Sequence, residues 1–550
     1  MKRNLRELEG REFDLVVVGG GIYGAAAAWD ATLRGLSVAL VERGDFGGGT
    51  SFNSSKTIHG GLRYLQHADL RRMRESVRER SILMRIAPHL VHPLAFLVPT
   101  YGALMRSRLA LGAALLLNDL MSFDRNRGAD PQKVIPRGKL VSRDECLRLA
   151  PGIPAEGLTG GAVWHDAHMH NSDRMTLSFV LSASAAGAVV ANHVGVDAFV
   201  RRGTRVTGVR VRDELGGESI DVQGKLVLNA CGPWVDELLK LLDGKERAPL
   251  FLHSKAMNLV TRPIVEGNVA LGLSSFGAQD DRDALVSKGW RFITLIPWRG
   301  VTIAGTRHSA HRGGPDALDA DRDPEIEAFL AEINAAYPAA GLRREDVRLV
   351  HRGLLPAAPG PGVTLQKDYR IVDHDRLEGV PGLLTMVGVK YTTARDVAEK
   401  AVDRVIERLE RPAQQRGLSR VKPLYGGDIE NFSDYLAREA RNGFYSRRLI
   451  SQYGTGFKDV SGLIEEDASL GEPVAGSSVL KAEVVNAVRN EMAETLESVV
   501  LRRTELGSAG HPGREAIETS ARLMGGEKGW TAERTAEETE AVEAFYRTRT

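Results

Sequence analysis

The residues best equipped for chemistry stand near the start of the chain. Phe13 to Val18 reads as a short, buried, β-rich strand, and Gly19-Gly20-Gly21-Ile22-Tyr23-Gly24 follows at once. An alanine-rich helix is expected over Ala25 to Arg34. Gly35 sits where it would end, and Leu36 to Val41 reads as a second strand closed by Glu42. Glycines let a backbone turn tightly and approach a pyrophosphate, while the helix N-terminus offers that anion N–H groups and a partial positive charge. The small side chains Ala25 to Ala28 let the helix lie close to the sheet. An acid about 20 residues beyond the glycines is placed to accept hydrogen bonds from ribose hydroxyls. All these parts fall in register, so the segment reads as a dinucleotide site rather than an incidental glycine loop.

NAD and FAD both use this arrangement, and the next segment argues for FAD. Gly47-Gly48-Gly49-Thr50-Ser51 and Asn53-Ser54-Ser55-Lys56-Thr57 form a run of small, hydrogen-bonding residues, and His59-Gly60-Gly61-Leu62-Arg63-Tyr64-Leu65 follows. Such a run suits an extended loop wrapped around a long cofactor; a surface loop is the competing reading. Leu226 to Trp234 reads as a strand ending in a tight turn. Gly388-Val389-Lys390-Tyr391-Thr392-Thr393 reads as a loop entering a helix from Ala394 to Leu409, with an apolar stripe at Val397, Ala401, Val405 and Leu409. The N-terminus of that helix is a second place favourable to negative charge. Strand-like segments at Val206 to Val211, Ala256 to Thr261, Phe292 to Pro297 and Val301 to Gly305 suit a substrate domain built on an antiparallel sheet.

Positioning these groups takes a large chain. Its 550 residues suggest two or three domains. Hydrophobic residues at 43% and charged residues at 26% are ordinary for a soluble globular protein. The 73 basic and 71 acidic side chains leave a formal charge of +2, so there is no basic excess to call for a nucleic-acid partner. Cys146 and Cys231 lie far apart, which argues against a disulfide framework or a zinc site and fits a reducing, cytoplasmic setting; no metal is expected. Met1 to Arg11 is charged and polar, without the apolar stretch of a signal peptide. Leu109 to Leu117 is too short to span a bilayer. Arg106 to Phe123 reads either as an amphipathic helix on a membrane surface or as a helix packed into the core. Beyond residue 415 the chain turns helical. Amphipathic helices are expected over Asp428 to Tyr453 and Ala482 to Arg503, the second with Val484, Val488, Met492, Leu496 and Val500 at four-residue spacing. Met492 and Met524 read as packing residues. Gly507 to Gly513 breaks the chain before a final helical pair, and the acidic stretch Glu533 to Glu543 reads as a solvated helix face.

Taken together these motifs resemble FAD-dependent glycerol-3-phosphate dehydrogenase. The glycine turn with Trp29-Asp30 and Leu33-Arg34-Gly35 carries the likeness, as do Ser54 to Leu65, Asn229-Ala230-Cys231-Gly232-Pro233-Trp234, and Lys390 with Thr392, Thr393 and Arg395. It runs over essentially the whole chain, including the helical C-terminal part. The resemblance implies an α/β fold: a dinucleotide-binding domain in segments (about 12–95, 155–245 and 345–412), a substrate domain (about 96–154 and 246–344), and a helical domain over 416–550. It implies FAD contacts at Gly19, Gly21, Gly24, Glu42, Arg43, Thr50, Ser51, Ser54, Lys56, Thr57, His59, Gly60 and Gly61. Further contacts are implied at Val194, Ala230, Gly232, Trp234, Gly388, Lys390, Tyr391 and Thr392. The implied reaction takes sn-glycerol 3-phosphate to dihydroxyacetone phosphate, with a hydride passed to FAD and electrons to quinone. Peripheral contact with the inner face of the cell membrane and a homodimer belong to the same set of expectations. A phosphate-bearing substrate wants cationic clamps, for which Arg63, Lys367 and Lys390 are candidates beside Tyr64.

The substrate region departs from the family at identifiable points. Met257 stands where the family has a histidine, and Leu355 where it has an arginine; Val389 and Ala394 also differ. A thioether takes no proton and a leucine clamps no anion. His351 or His308 is therefore the candidate to accept the alcohol proton, and Arg352 the candidate replacement cation, against the reading that all three are ordinary structural residues. His59 is expected to shape its loop. Two alternatives stay open: an FAD enzyme acting on another polyol phosphate or hydroxy compound, by dehydrogenation or with oxygen as acceptor, and a non-catalytic flavin-binding scaffold.

Overall fold

The computed structural model describes residues 1–62, 64, 69–101, 108–244, 247–275, 291–318, 323–358, 364–412, 416–440 and 444–549. Arg63, a candidate for catalysis and substrate binding, lies outside the described residues.

Two sheets organise the described residues. The first comprises β1 (Glu12–Val18), β2 (Val38–Val41), β7 (Val189–Ala191), β8 (Val194–Arg202), β9 (Arg205–Asp213), β10 (Ser219–Asn229), β17 (Arg370–Asp373) and β18 (Leu383–Val387). Its central order is β17-β18-β10-β1-β2-β7, with β8 and β9 as an antiparallel extension of β10. The pairs β18–β10, β10–β1, β1–β2 and β2–β7 are parallel. Parallel strands need covering on both faces, and their sequences are accordingly apolar runs: all four residues of β2 and six of the seven in β1 are buried.

The second sheet contains β3 (Thr57–Ile58), β4 (Val91–Tyr101), β5 (Lys139–Val141), β6 (Leu158–Met169), β11 (Leu252–Thr261) and β12 (Val269–Ser275). It continues through β13 (Arg291–Trp298), β14 (Val301–His311), β15 (Val347–Ala358) and β16 (Thr364–Leu365). The order is β16-β15-β11-β14-β13-β12-β4-β6-β3, antiparallel except at β12–β4. The expected antiparallel sheet is present, but the segment boundaries read from the sequence do not follow it. β3, β6 and β15 fall within segments assigned to the dinucleotide domain, yet they hydrogen-bond into this second sheet.

Helices cover both sheets. They are α1 (Ile22–Leu33), α2 (Leu70–Ile86), α3 (Arg108–Met121), α4 (Arg143–Leu149), α5 (Ser172–Ala185), α6 (Val235–Lys240), α7 (Asp323–Ala336), α8 (His374–Glu378) and α9 (Ala394–Arg408). The C-terminal part adds α10 (Phe432–Glu439), α11 (Phe444–Tyr453), α12 (Phe457–Glu466), α13 (Lys481–Asn490), α14 (Arg514–Lys528) and α15 (Ala532–Arg549). Alanines 25 to 28 of α1 are fully buried, as close packing on the sheet and on α5 and α9 demands.

The C-terminal part has a small apolar cluster of its own, with Leu449, Tyr453, Val460, Leu463, Leu480 and Val485, but its larger core is shared with the second sheet. Val484, Leu496, Val500 and Met524 share one apolar cluster with Phe96, Ile296, Trp298 and Leu349 of the second sheet. The opposite face of that sheet packs with α7 through Met257, Leu259, Val350, Ile326 and Phe329. The single helix expected over Ala482 to Arg503 is two pieces. α13 ends at Asn490, Met492 takes a left-handed φ of 54°, and Ser498–Arg503 forms a π-helical turn. The break lets Glu491 turn inward to meet Arg174 of α5 in a two-pronged ion pair at 2.6 and 2.7 Å. Asp428 to Tyr453 likewise divides into α10 and α11. Met492 and Met524 are buried packing residues, as expected. Within the acidic face of α15, Glu538 is an exception: it is buried and accepts the Leu496 N–H at 2.8 Å.

α3 matches neither half of its expected alternative completely. Leu115 is buried, so the helix does pack, but Leu116, Leu120 and Phe123 are 64%, 63% and 80% exposed and Leu117 also faces outward. Among the described residues no helix is long and apolar enough to cross a membrane.

Candidate functional site

The glycine turn joins β1 to α1. Gly24 lies so close to Gly19 that a Cβ on it would stand 1.8 Å from the Gly19 carbonyl oxygen. Gly19 has φ of 106°, and a Cβ there would meet the Ala230 carbonyl oxygen at 2.7 Å. Both positions therefore admit glycine alone. Gly21 caps the helix, and Ala230, at the end of β10, donates its N–H to Val18. The Glu42 carboxylate accepts the N–H groups of Gly20 at 2.6 Å and Gly44 at 2.9 Å. Burial raises its pKa and those two N–H groups oppose the rise. The Glu42 carbonyl takes the Val194 N–H at 2.7 Å, which sets Val194 beside the acid. Glycine turn, helix end and half-buried acid match the parts of FAD that need them: pyrophosphate and ribose.

The loop between β2 and β3 closes over this turn. Gly47 donates to the Gly20 carbonyl at 3.1 Å, and the Ser51 hydroxyl accepts the Ile22 N–H at 3.0 Å. The Thr50 hydroxyl donates to the Leu354 carbonyl at 3.1 Å, and the Ser54 hydroxyl accepts the Lys56 N–H. Trp234, just past Gly232, packs on the loop, because a Cβ on Gly49 would lie 3.1 Å from its ring. Arg43 is exposed, over the Trp234 ring and paired with Asp316 at 3.1 Å. Gly60 donates to the Asp166 carboxylate, Gly61 has a left-handed φ of 88° against Tyr64, and His59 stands edge-on to the same ring at 6.0 Å.

Two residues expected to contact FAD have their side chains engaged elsewhere. The Lys56 ammonium is fully buried and is engaged by the Phe52 carbonyl at 2.6 Å, the Ser172 hydroxyl at 2.7 Å and Asp173 at 3.7 Å, so it braces the loop against α5. The Tyr391 hydroxyl is held by the Ser172 carbonyl and Thr176. Thr57 is a strand residue whose hydroxyl turns back to the Ser55 carbonyl.

The loop 388–393 is hung from α1. The Tyr23 hydroxyl accepts the Val389 and Lys390 N–H groups, each at 3.1 Å, and donates to the Lys390 carbonyl at 2.6 Å. Gly388 is needed because a Cβ there would sit 2.0 Å from the Tyr23 ring. Thr392 is buried at the entrance to α9. Lys390 is thereby set with its ammonium 4.0 Å from the centre of the Tyr64 ring, and the Arg72 guanidinium lies 5.3 Å from the same centre. Burial, and after it the Arg72 charge, lowers the Lys390 pKa to about 8. Arg72 is anchored by Asp69 and by the Lys367 carbonyl at 3.2 Å, which brings Lys367 to the same corner. Beneath this corner Arg395 ties α9 to α2 through two bonds to Glu79 at 2.6 and 2.7 Å, with Glu399 as a second carboxylate. Tyr23 and Arg72 were not singled out from the sequence. The one aromatic residue inside the glycine motif was the signal for Tyr23; Arg72 looks like any arginine in a basic helix.

The alternation of β15 corrects the remaining candidates. Ala256 pairs with both His308 and Gly353, so these three share a face, and a Cβ on Gly353 would point at Thr50 and Asn53. His308 is therefore a half-buried imidazole on the cofactor-loop side, 3.4 Å from the Ser254 hydroxyl. His351 shares that face, but it is fully buried, stacked on Phe52 at 5.1 Å. Burial, with Lys56 and Arg549 nearby, keeps its pKa well below the ordinary value. It is positioned to support the loop and not to meet a substrate. Arg352 projects to the opposite face with Val350 and Leu354, towards α7, so it cannot replace a cation lost from this side. Met257 packs on that far face too, whereas Leu355 pairs with Ser254 on the near one.

The site can thus hold a dinucleotide along the turn and an anion beside Lys390. We expect Glu42→Ala to weaken FAD binding by about 10- to 100-fold, the cost of one lost charge-assisted hydrogen bond, read by flavin fluorescence titration. An unchanged affinity would remove Glu42 from the ribose site.

Comparisons with known proteins agree with this geometry. Residues 14–391 match the family model described as FAD dependent oxidoreductase, and residues 419–535 match the C-terminal domain of alpha-glycerophosphate oxidase. A glycerol-3-phosphate dehydrogenase of Synechocystis is 34% identical, with 96% of each chain covered. The aerobic glycerol-3-phosphate dehydrogenase of Staphylococcus haemolyticus is 30% identical over 91% of this chain and 88% of its own. The crystal structure of glycerol-3-phosphate dehydrogenase from Bacillus halodurans complexed with FAD superposes with a TM-score of 0.76 at 26% identity, covering 99% of this chain and 96% of that one. With residues 14–391 and 419–535 both matched and a relative 34% identical over 96% of each chain, the chain belongs to the family of FAD-dependent glycerol-3-phosphate dehydrogenases.

Proposed function

We propose that the protein oxidises sn-glycerol 3-phosphate to dihydroxyacetone phosphate and passes the electrons to membrane quinone. The observation that carries the substrate assignment is the half-buried Lys390 ammonium against Tyr64, with Arg72 on the same ring, on a loop hung from the cofactor motif. Relatives at 34% and 30% identity are named for glycerol 3-phosphate. The alcohol carbon gives up a hydride and its oxygen a proton, leaving a ketone. FAD, when bound, supplies the acceptor for the hydride. Lys390 and Arg72 hold the phosphate, Arg63 joins them by its place in the motif, and Lys367 lies at the rim. Tyr64 orients the substrate between the two cations. His308 takes the alcohol proton, since it is the histidine that faces the cofactor loop without being sealed beneath it. A different polyol phosphate is the second reading, favoured by one observation: Leu355 puts an apolar side chain on the near face where the family has an arginine.

The exposed residues Leu116, Leu117, Leu120 and Phe123 follow one face of α3 and its end, with Arg127, Arg137 and Lys139 exposed nearby. Apolar side chains rimmed by basic ones suit an anionic bilayer, the phase in which quinone dissolves. This face is the proposed contact with the inner surface of the cell membrane.

Anaerobic addition of sn-glycerol 3-phosphate to the yellow protein should bleach the oxidised flavin. Flavin that stays oxidised, yet is reduced by dithionite, would discard this substrate and send the search to other polyol phosphates. Substrate affinity should fall as pH rises through about 8, because Lys390 is charged below that value and neutral above it. Lys390→Arg should remove the break in the pH profile of KM while binding persists; a break that survives belongs to another group. Replacing Leu116, Leu120 and Phe123 together with serine should weaken sedimentation with anionic vesicles by about tenfold or more. Equal sedimentation of variant and wild type would dismiss α3 as the contact.

A further inference from the structure

The loop of residues 44–53 is held from two sides. On its inner side it closes the glycine turn through Gly47 and Ser51. On its outer side both ends meet arginines from the C-terminal helical part. At one end Asp45 is completely buried. Its carboxylate accepts Arg503 Nη1 at 2.8 Å and Nη2 at 2.7 Å, Arg502 Nε at 2.7 Å, and Asn192 Nδ2 at 2.9 Å. At the other end Asn53 Oδ1 accepts Arg549 Nη1 at 2.8 Å and the Arg352 N–H at 3.1 Å. Asp45 and Asn53 thus pin the loop to the π-helical turn and to the last turn of α15, elements more than 440 residues away in sequence.

We propose that the C-terminal helical part is a working component of the FAD site: Arg502, Arg503 and Arg549 are positioning residues that hold loop 44–53 closed over the cofactor. The proposal rests on the reading of the Gly19–Gly24 turn as the FAD pyrophosphate site. Its physical basis is the loop's composition. Three consecutive glycines, 47 to 49, give it little stiffness of its own, so its shape must be imposed from outside. Burial alone would push the Asp45 carboxyl up, but Arg503 and Arg502 hold it well below the usual carboxylate range. Without them the carboxylate would have to take up a proton or turn out to water, and Gly47, two residues on, would move off Gly20. Cofactor binding and docking of the C-terminal part then share one free energy, and each strengthens the other.

The test uses the full-length protein. Arg503→Met and Asp45→Asn should each raise the FAD dissociation constant by about tenfold or more, with Arg503→Lys intermediate, because each removes charge-assisted bonds from the loop. Arg174→Met is the control. It breaks the equally buried Arg174–Glu491 pair of the same interface, whose side chains bond no residue of the loop; the pair meets Arg503 only through the Glu491 carbonyl at 3.0 Å, a backbone group the substitution leaves in place. It should lower the melting temperature while leaving FAD affinity near wild type. Removing FAD should also speed hydrogen exchange over residues 498–503, a reciprocal effect that simple structural damage does not produce. Arg549→Met lies near the surface at the chain's end and reports on the loop even if the buried variants do not fold. Wild-type FAD affinity in Asp45→Asn, Arg503→Met and Arg549→Met, or an equal loss in Arg174→Met, would overturn the proposal. Glu42→Ala separates the two levels: if it alone releases FAD, the cofactor site stands and the clamp fails, and if it too keeps FAD, the reading of the turn fails.

Discussion

The close approach of Gly24 to Gly19 governs the rest. α1 can start where it does only because nothing stands between Gly24 and the carbonyl of Gly19, a gap into which a single methyl group would intrude to 1.8 Å. That contact fixes where the helix N-terminus points. The parallel strands on either side of β1 then bring Glu42 and Ala230 to the same edge, since parallel strands end together. Tyr23, in the first turn of the helix, carries the loop that bears Lys390. The glycine turn and the loop of Lys390 are therefore both referred to one helix start.

Between the helices that cover this turn and the C-terminal part the protein buries several charged pairs. Arg34 with Asp30, Arg395 with Glu79 and Glu399, Arg174 with Glu491, and Arg502 and Arg503 with Asp45 are each almost fully enclosed. Such pairs contribute little net stability compared with apolar packing of the same volume, but breaking one strands a charge at a cost of about 3–5 kcal/mol. Their effect is to permit one arrangement of α1, α2, α5, α9 and the C-terminal helices and to penalise slipped alternatives.

The second sheet shows how a one-residue shift in position along a strand changes a role. His351 and Arg352 are neighbours in sequence and are both candidates to replace lost groups, one as proton acceptor and the other as cation. In β15 they project to opposite faces, one beneath Phe52 and the other towards α7. Met257 likewise turns away from the cofactor loop, so its thioether packs in the core below α7. His308 reaches the loop side because of its pairing with Ala256, a register that no local pattern encodes.

What the sequence determined alone was whatever depends on near neighbours: the strand, turn and helix of the glycine motif, the acid that follows, the small-residue loop, the periodicity of α9 and the helical C-terminal region. These are set by sterics and spacing over a few residues, so they are legible one residue at a time. Tertiary structure decided what depends on which distant surfaces meet. It turned Lys56 inward to α5, broke the helix at Met492 so that Glu491 could reach Arg174, and set Asp45 against Arg502 and Arg503. A charged residue's role is fixed by its partner, and when the partner lies hundreds of residues away, only the folded chain brings the two together.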